Sequence, residues 1–480
     1  MNRTTRHDAG RRAFLRRGAG LAAGALAGAA GLPVMLGSRH AHAADYKALV
    51  CVFQYGGSDG MNMIVPTDTT RHGQYAAVRG GLALPRASLV GLAGSQYGLH
   101  PAMAALQPFW TAGQLAPVFN LGPLNRPLTK AQYLAADAGS AIVPQALFSH
   151  SDQQKQWESA ASDSLSRTGW GGRACEVLAT TNPTISVGGN GLFGVEALRS
   201  PLVLPGPGSG FGAYGLMPDD LGWEPNRLRK AAVDALYAET PGGILGGAFA
   251  SQQRVAFEMS DRLSGIVGST PGDAMSVPEI DAAFAPLIQD GYIYSWFGQQ
   301  MYQVAKLIAY NATVQGSRQV FFANQGGYDT HSGQAWGDAT SGPHADLLGE
   351  LADGLAAFQQ AMNNLGLGAS VTTFTEADFG RTFAPNETSG TDHAWGNNHL
   401  VLGGAVHGGA TYGTYPTLVL GGPDDVGVES WELQGRWIPT SSVDQYAATM
   451  LAWFGASPAQ LDAILPNLAN FGSARSLGFL

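Results

Sequence analysis

Residues 318–331 read RQVFFANQGGYDTH, and this stretch carries the strongest indication of the fold. A short apolar run leads into a glycine-rich turn, which is followed by Asp329 and His331. An apolar run of this length, bounded by turn residues, predicts a buried strand. The residues after it are of the kind that bind ligands at the end of a strand.

The same order of an apolar run, a loop and an aspartate occurs twice more. Residues 47–54 (KALVCVFQ) lead to Asp59, and residues 370–375 lead to Asp378. The carboxyl ends of parallel strands share one edge of a sheet, where ligands bind. We therefore expect Asp59, Asp329 and Asp378 to meet in one cleft, although they lie far apart in the chain.

Helical patterns separate the predicted strands. Residues 346–364 place apolar side chains on one stripe, and further helical patterns cover residues 279–313 and 443–453. Residues 417–420 predict a short strand. This alternation predicts an α/β fold with a central, mostly parallel sheet and helices on both faces. A loop-rich and helical insertion is expected at about residues 186–313.

Histidines are concentrated near the acidic loops, since five of the chain's 11 lie between residues 328 and 407. Imidazoles and carboxylates are common ligands of divalent metal ions, and a cation would relieve the repulsion among converging carboxylates. The alternative is a set of separate turn-capping residues. The predicted ligands of a Zn, Mn, Mg or Ca ion are Asp59, Asp329, His331, Asp378, His393 and His399.

Residues 147–154 (LFSHSDQQ) place hydroxyl and imidazole groups ahead of a predicted helix. Ser149 or Ser151 could act as a nucleophile, with His150 beside them, because a helix N-terminus favours an anionic substrate. The structural alternative is that Ser151 or Asp152 caps the helix. The sequence leaves both roles open.

A second candidate nucleophile is Ser58, because residues 56–60 match the G-x-S-x-G pattern of a nucleophile elbow. An elbow requires a helix directly after the serine, whereas residues 61–66 (MNMIVP) have the character of an extended segment. A serine esterase is therefore the less favoured alternative.

The chain has a net charge of -9, which argues against nucleic acid or an anionic lipid surface as a partner. An anionic substrate would need local positive charge from a metal ion or from Arg381, whose guanidinium could clamp an anionic oxygen through two hydrogen bonds. The alternative for Arg381 is an ion pair within the protein.

The N-terminus predicts export. Residues 11–17 (RRAFLRR) have the twin-arginine pattern, residues 18–37 are mildly apolar, and residues 41–43 (AHA) offer a cleavage site. We expect the twin-arginine translocase to deliver the mature chain to the periplasm or outside the cell. No other apolar run is long enough to predict a membrane span. Cys51 is expected to be a buried apolar residue, with a bridge to Cys175 as the alternative.

Several segments together resemble the DUF1501 family of exported bacterial proteins, whose activity is undetermined. The segments are GGSDGMN (56–62), LFSHSDQQ (147–154), GGYDTH (326–331), DFGRT (378–382), SGTDHAWGNNH (389–399) and IPTSSVDQYAATMLAWFG (438–455). That family is related to the alkaline phosphatase/sulfatase superfamily. The resemblance implies one alkaline phosphatase-like domain over residues 44–480, with one or two metal ions.

In that resemblance, Asp59, Asp329, His331 and Asp378 are similar to metal ligands, and His393 or His399 is similar to the last histidine ligand. The implied function is metal-dependent hydrolysis of phosphate or sulfate esters, on small molecules or on polymers. The alternative from another class is a non-catalytic exported or surface-assembly protein that keeps the fold.

Overall fold

The computed structural model describes residues 45–137, 140–238 and 244–480. The predicted export signal, residues 1–43, lies outside the described residues. Within those residues, no helix combines the length and apolar character needed to cross a membrane.

The strands are numbered in chain order. They are β1 Lys47–Gln54, β2 Ile64–Pro66, β3 Val90–Gly91, β4 Tyr97–Leu99, β5 Leu115–Gly122, β6 Ile185–Ser186, β7 Leu202–Val203, β8 Ile288–Gln289, β9 Tyr292–Ile293, β10 Arg318–Gln325, β11 Val371–Ala377, β12 Asn397–Leu402, β13 Tyr412–Gly413 and β14 Ser441–Ser442.

The helices of the described residues are numbered in the same way. They are α1 Gly60–Met63, α2 Thr69–Arg79, α3 Gln107–Thr111, α4 Lys130–Leu134, α5 His150–Ser159, α6 Trp170–Val177, α7 Glu224–Ala238, α8 Ile244–Gly268, α9 Pro278–Phe284, α10 Trp296–Ala309, α11 Asn311–Val314, α12 Pro343–Asn364, α13 Val443–Phe454 and α14 Pro458–Ile464.

Nine of the described strands form one central sheet in the order β13-β5-β12-β11-β1-β10-β6-β7, with β14 also paired to β5. β1 lies at its centre and runs parallel to both β10 and β11. Only β12 runs antiparallel to its neighbours, β11 and β5, among the described pairings of this sheet. The predicted α/β fold with a mostly parallel sheet is confirmed.

Side chains on the two faces of β1 enter two separate apolar clusters. Ala48, Val50 and Val52 pack in the cluster that includes α10 and α12, whereas Leu49, Cys51 and Phe53 pack against α6 and α13. Both faces of the strand are therefore covered, which explains why its sequence is apolar throughout rather than alternating. Burial of both faces fixes the sheet at the centre of the protein.

Two predicted elements differ from the structure. The helix predicted over residues 279–313 is interrupted by the β8–β9 hairpin, whose two-residue turn has Asp290 and Gly291 at positive φ (51° and 80°). An Asp-Gly pair favours this turn, so the local sequence overrides the helical pattern. Residues 417–420 form no strand, because Leu418 has a φ of 64° and the Asp424 carboxylate accepts hydrogen bonds from the Thr417 amide and hydroxyl (2.7 and 2.5 Å).

The two cysteines are both buried and both free. The Cys51 thiol lies 3.8 Å from a Glu376 carboxylate oxygen, and the Cys175 thiol lies 3.6 Å from the Thr184 hydroxyl. The expected buried position of Cys51 is thus found, and the alternative of a Cys51–Cys175 bridge is wrong.

Candidate metal centre

The loops that follow β1, β10 and β11 meet at one edge of the sheet. The strands are in register there, since Gln54 pairs with Gln325 on one side and with Ala377 on the other. Gly56 has a φ of 109°, and a Cβ at this position would lie 2.5 Å from the Asp329 amide nitrogen. Only glycine lets the first loop pass this close to the second.

Three imidazoles converge on one carboxylate oxygen at this edge. The Nε2 atoms of His331, His150 and His393 lie 3.0, 3.3 and 3.7 Å from Oδ1 of Asp329. One ligand atom from each of the four residues lies within 4.8 Å of all the others. The four residues therefore form a cluster that could hold a metal ion.

The other ring nitrogen of each histidine faces a fixed acceptor. Nδ1 of His150 lies 2.6 Å from Oδ2 of Asp378, and Nδ1 of His331 lies 3.1 Å from Oδ1 of Asp392. Nδ1 of His393 lies 2.7 Å from the carbonyl oxygen of Phe148. A carbonyl or ionised carboxylate only accepts, so each neutral ring carries its proton on Nδ1 and its lone pair on Nε2.

This arrangement leaves lone pairs facing each other. The Nε2 atoms of His331 and His393 are 2.8 Å apart, and both are close to the Asp329 carboxylate. Nε2 of His150 is buried and has no hydrogen-bond partner among the described residues. A proton or a metal cation between the Nε2 atoms and the Asp329 oxygen is needed to make their close approach favourable. Metal-binding histidines commonly donate their other ring N–H to a carboxylate or carbonyl oxygen, as the three Nδ1 atoms do here.

The local charges keep Asp329 ionised. Burial would raise the pKa of this carboxyl, but the hydrogen bond and charge of Arg381 hold it below its ordinary value, as do His150 and His331 when they are protonated. The hydrogen bond to Asp378 raises the pKa of His150, whereas burial lowers the pKa of His393. Asp329 thus offers a negative ligand atom at neutral pH.

Arg381 has a structural role, in contrast to the predicted clamp on a substrate oxygen. Its buried guanidinium donates to the carbonyl oxygens of Gly57 (2.8 Å) and Thr391 (3.0 Å), and also to Gly56 O and to Asp329 Oδ1. These contacts join the loops after β1, β10 and β11. The donors that a substrate would need are therefore used by the protein.

Asp59 was predicted as a ligand but lies outside the cluster. Its carboxylate forms a fully buried ion pair with Arg79 and accepts a hydrogen bond from Gln334 (2.6 Å). It also accepts from the Asn62 amide at the start of α1 (3.3 Å). Burial would raise the pKa of Asp59, but Arg79 holds it below its ordinary value. The charge that a metal would have supplied comes from an arginine.

His399 was also predicted as a ligand, and the structure places it within the core instead. It lies on β12, with its Nδ1 3.2 Å from the Thr375 hydroxyl and its ring 4.8 Å from that of Trp157. Burial lowers its pKa to about 3. It is a neutral core histidine and does not join the cluster.

Asp378 contacts a histidine of the cluster and not the cluster's centre. Its Oδ2 atom accepts hydrogen bonds from His150, from Gln154 Nε2 (2.8 Å) and from the Gly56 amide (3.2 Å). The carboxylate is fully buried. In place of the predicted ligand role, Asp378 orients the His150 ring.

The predicted serine nucleophiles do not join the cluster. The Ser149 hydroxyl donates to Asp152 (2.6 Å), and the Ser151 hydroxyl lies 3.3 Å from the same carboxylate oxygen. Ser58 is fully buried and contacts Gln54 and Asn397, so no imidazole among the described residues activates it. The short helix α1 does begin at Gly60, in contrast to the extended segment predicted there.

Two groups that position the histidines were not among the predicted site residues. The carbonyl of Phe148 is directed at His393 by a left-handed backbone (φ 69°), and Asp392 holds His331. Asp392 directly precedes His393 in the sequence, which is a usable signal. A carbonyl gives no such signal, because every residue has one.

The fold and the cluster define the class as an α/β protein in which three histidines and one aspartate, from loops and from the start of α5, could bind a metal ion at one edge of the central sheet. Residues 242–426 match the model of a family described as "Protein of unknown function (DUF1501)". The matched range includes Asp329, His331, Asp378 and His393, but not His150. A comparison with curated proteins found no match.

Proposed function

We propose that the protein binds a divalent metal ion through His150, His331, His393 and Asp329 and hydrolyses an anionic ester there. The observation that carries this proposal is the convergence of three Nε2 atoms on Asp329 Oδ1, with each Nδ1 held by an acceptor. Three nitrogens and one oxygen favour Zn, or secondarily Mn, over Mg and Ca.

Neighbouring residues fix the orientation of the candidate ligands. Asp378 fixes the tautomer and tilt of His150, and Arg381 fixes the Asp329 carboxylate. The side chains of His331 and Asp329 are 44% and 48% exposed, so a substrate can reach the cluster from solvent. These four residues would hold the ion, and a position for a water or an ester oxygen would have to be added to this set or take the place of one ligand; the ion would then supply Lewis acidity for the hydrolysis.

The choice of phosphate or sulfate esters is part of the proposal. It is supported by the resemblance described above and by Arg436, whose Nε contacts the His393 carbonyl oxygen and whose positive charge suits an anionic group. Export by the twin-arginine route to the periplasm or beyond is likewise proposed, on the N-terminal pattern. Fractionation of cells that express the full chain, compared with an Arg11→Lys/Arg12→Lys variant, tests it.

The activity test uses protein purified without chelator, loaded with Zn or Mn, and offered aryl phosphate, aryl sulfate and aryl acetate esters. We expect turnover of a phosphate or sulfate ester that is lost after metal removal and restored by the metal. We expect Asp378→Asn to weaken metal binding by roughly 10- to 100-fold, as is typical when a group that orients a ligand is lost. A protein that binds metal but hydrolyses none of the esters would favour the non-catalytic alternative.

A further inference from the structure

Arg436 is a second arginine beside the cluster, and its donors are not used in the way those of Arg381 are. Its Nε donates to the carbonyl oxygen of His393 (3.0 Å), and its guanidinium carbon lies 4.8 Å from the centre of the Phe148 ring. Among the described residues, no hydrogen bond and no ion pair within 4.0 Å involves its two terminal amino groups, although its charge acts on the Asp392 and Glu432 carboxylates. These amino groups are therefore free to bind a ligand.

Both residues that hold Arg436 also belong to the metal centre. His393 supplies a candidate ligand, and the Phe148 carbonyl orients that ligand. Phe148 adopts a left-handed backbone that is unfavourable for a bulky residue, and such strain concentrates at functional sites. One strained residue thus sets both the position of a metal ligand and that of the guanidinium.

The loop that carries Arg436 is held rigidly. The buried Asp425 carboxylate accepts hydrogen bonds from four backbone amides, including that of Arg436 (3.1 Å). Lys130 donates to three carbonyl oxygens of the same loop at 2.6 to 3.2 Å. A guanidinium on a fixed loop loses little entropy on binding, which is what a recognition residue requires.

We propose that Arg436 is the anion-recognition residue of the metal centre, and that its terminal amino groups bind two oxygens of a phosphate or sulfate group. This inference rests on the proposed function and adds the residue that selects the substrate class. A planar guanidinium matches two oxygens of a tetrahedral anion through paired hydrogen bonds. A neutral carboxylic ester has no pair of anionic oxygens to accept these hydrogen bonds.

A neighbouring cavity suits the remaining part of such a substrate. It has a volume of about 530 Å³ and is lined in part by Leu134, Val143 and Leu147. Leu147 directly precedes Phe148, whose ring contacts the Arg436 guanidinium, so the cavity adjoins the segment that holds Arg436. The cavity would take the alcohol part of the ester, while Arg436 binds the anion.

The test measures inorganic phosphate binding to the full chain by calorimetry, once with the metal loaded and once after chelator treatment. We expect Arg436→Gln to weaken phosphate binding by about tenfold or more, because a charge-assisted paired contact is lost. Arg436→Lys should recover part of the loss, since it keeps the charge but not the fork. Arg475→Gln removes an equal charge from the exposed pair with Asp462 and should change the affinity by less than about twofold.

The outcomes separate this inference from the proposed function. If the protein binds metal, and Arg436→Gln keeps both its metal and the wild-type phosphate affinity, the role of Arg436 is refuted and the metal site stands. If no metal binds, but phosphate binding still depends on Arg436, the inference stands and the metal proposal fails. If the wild type binds phosphate in neither state, the inference is refuted. Melting temperatures of the variants check that each is folded.

Discussion

At His393, the ring nitrogen Nδ1 faces a carbonyl oxygen that can only accept, so the proton is assigned to that nitrogen and the lone pair to Nε2. His150 and His331 follow the same rule with carboxylates as partners. The three lone pairs point at one negatively charged oxygen. Such a centre is complementary to a cation.

The first prediction concerns these ligands. His150→Ala or His393→Ala should each lower metal affinity by at least tenfold, since even the loss of an orienting group costs that much. Competition with a chromophoric chelator measures the affinity. His407→Ala is the matched control, because His407 is exposed and outside the cluster, and it should not change binding. Equal affinity in all three variants would contradict the assignment.

Single residues also mark the limit of prediction from sequence. Asp59 has the same place after a strand as Asp329, so the sequence cannot distinguish them. The difference is that Arg79, on α2, folds back onto Asp59 and neutralises it within the core. The sequence placed both loops at the correct edge but did not reveal which side chain supplies the counter-charge.

At the scale of elements, the loops after β1 and β10 set the geometry of the site. Their close approach depends on Gly56, whose positive φ and lack of a side chain leave room for the Asp329 amide. The strands themselves could be recognised from their apolar runs. Asp290-Gly291 also indicates the hairpin between β8 and β9. The helical pattern on both sides of this pair is longer, and it led to the prediction of one continuous helix.

The second prediction tests that loop. Gly56→Ala should destabilise the protein by roughly 1–3 kcal/mol, because alanine is strained at this φ and its Cβ would overlap the neighbouring backbone. Gly73→Ala is the opposite case, since Gly73 lies within α2 and has open space around it. That change should stabilise the protein by about 0.5–1 kcal/mol. Urea unfolding measures both, and a neutral effect of Gly56→Ala would contradict the prediction.

The third prediction concerns α13 and its buried residue Asp444, which accepts a hydrogen bond from the Asn467 amide (3.0 Å). Burial raises the pKa of Asp444 in the folded protein to about 7. The unfolded chain loses this proton near pH 4, so the contribution of Asp444 to stability falls as the pH rises from about 4 to about 7 and is constant above that.

Asp444→Asn removes this titration but keeps an acceptor oxygen. Relative to the wild type, the variant should therefore gain stability between pH 5 and pH 8, by up to about 1.4 kcal/mol per pH unit within the window. Urea unfolding at the two pH values gives the difference. A stability difference that does not change with pH would show that the carboxyl is already ionised at pH 5.

On the scale of the whole molecule, the parallel arrangement of β11, β1 and β10 brings residues from distant parts of the chain to one edge. This topology was predictable from three repeated patterns of strand, loop and aspartate. The sequence did not predict His150 of α5 as a metal ligand. No strand directly precedes α5, and its position at the sheet edge depends on tertiary packing. The strand-end loops of the centre therefore follow from local sequence patterns, whereas the position of His150 follows from tertiary structure.

The fourth prediction is that metal binding stabilises the fold. A ligand that binds only the folded state at about 100 times its dissociation constant adds about 2.7 kcal/mol to the free energy of unfolding. The melting temperature should rise when Zn is added to chelator-treated protein. The His150→Ala variant should show a much smaller rise. An equal rise in that variant would place the binding elsewhere.

The most direct test is anomalous diffraction at the zinc absorption edge from crystals of protein purified without chelator and supplied with Zn. We predict one strong peak among His150, His331, His393 and Asp329, at about 2.0–2.1 Å from the Nε2 atoms. A fully occupied peak elsewhere, or none at this cluster in crystals grown at neutral pH, would contradict the metal centre.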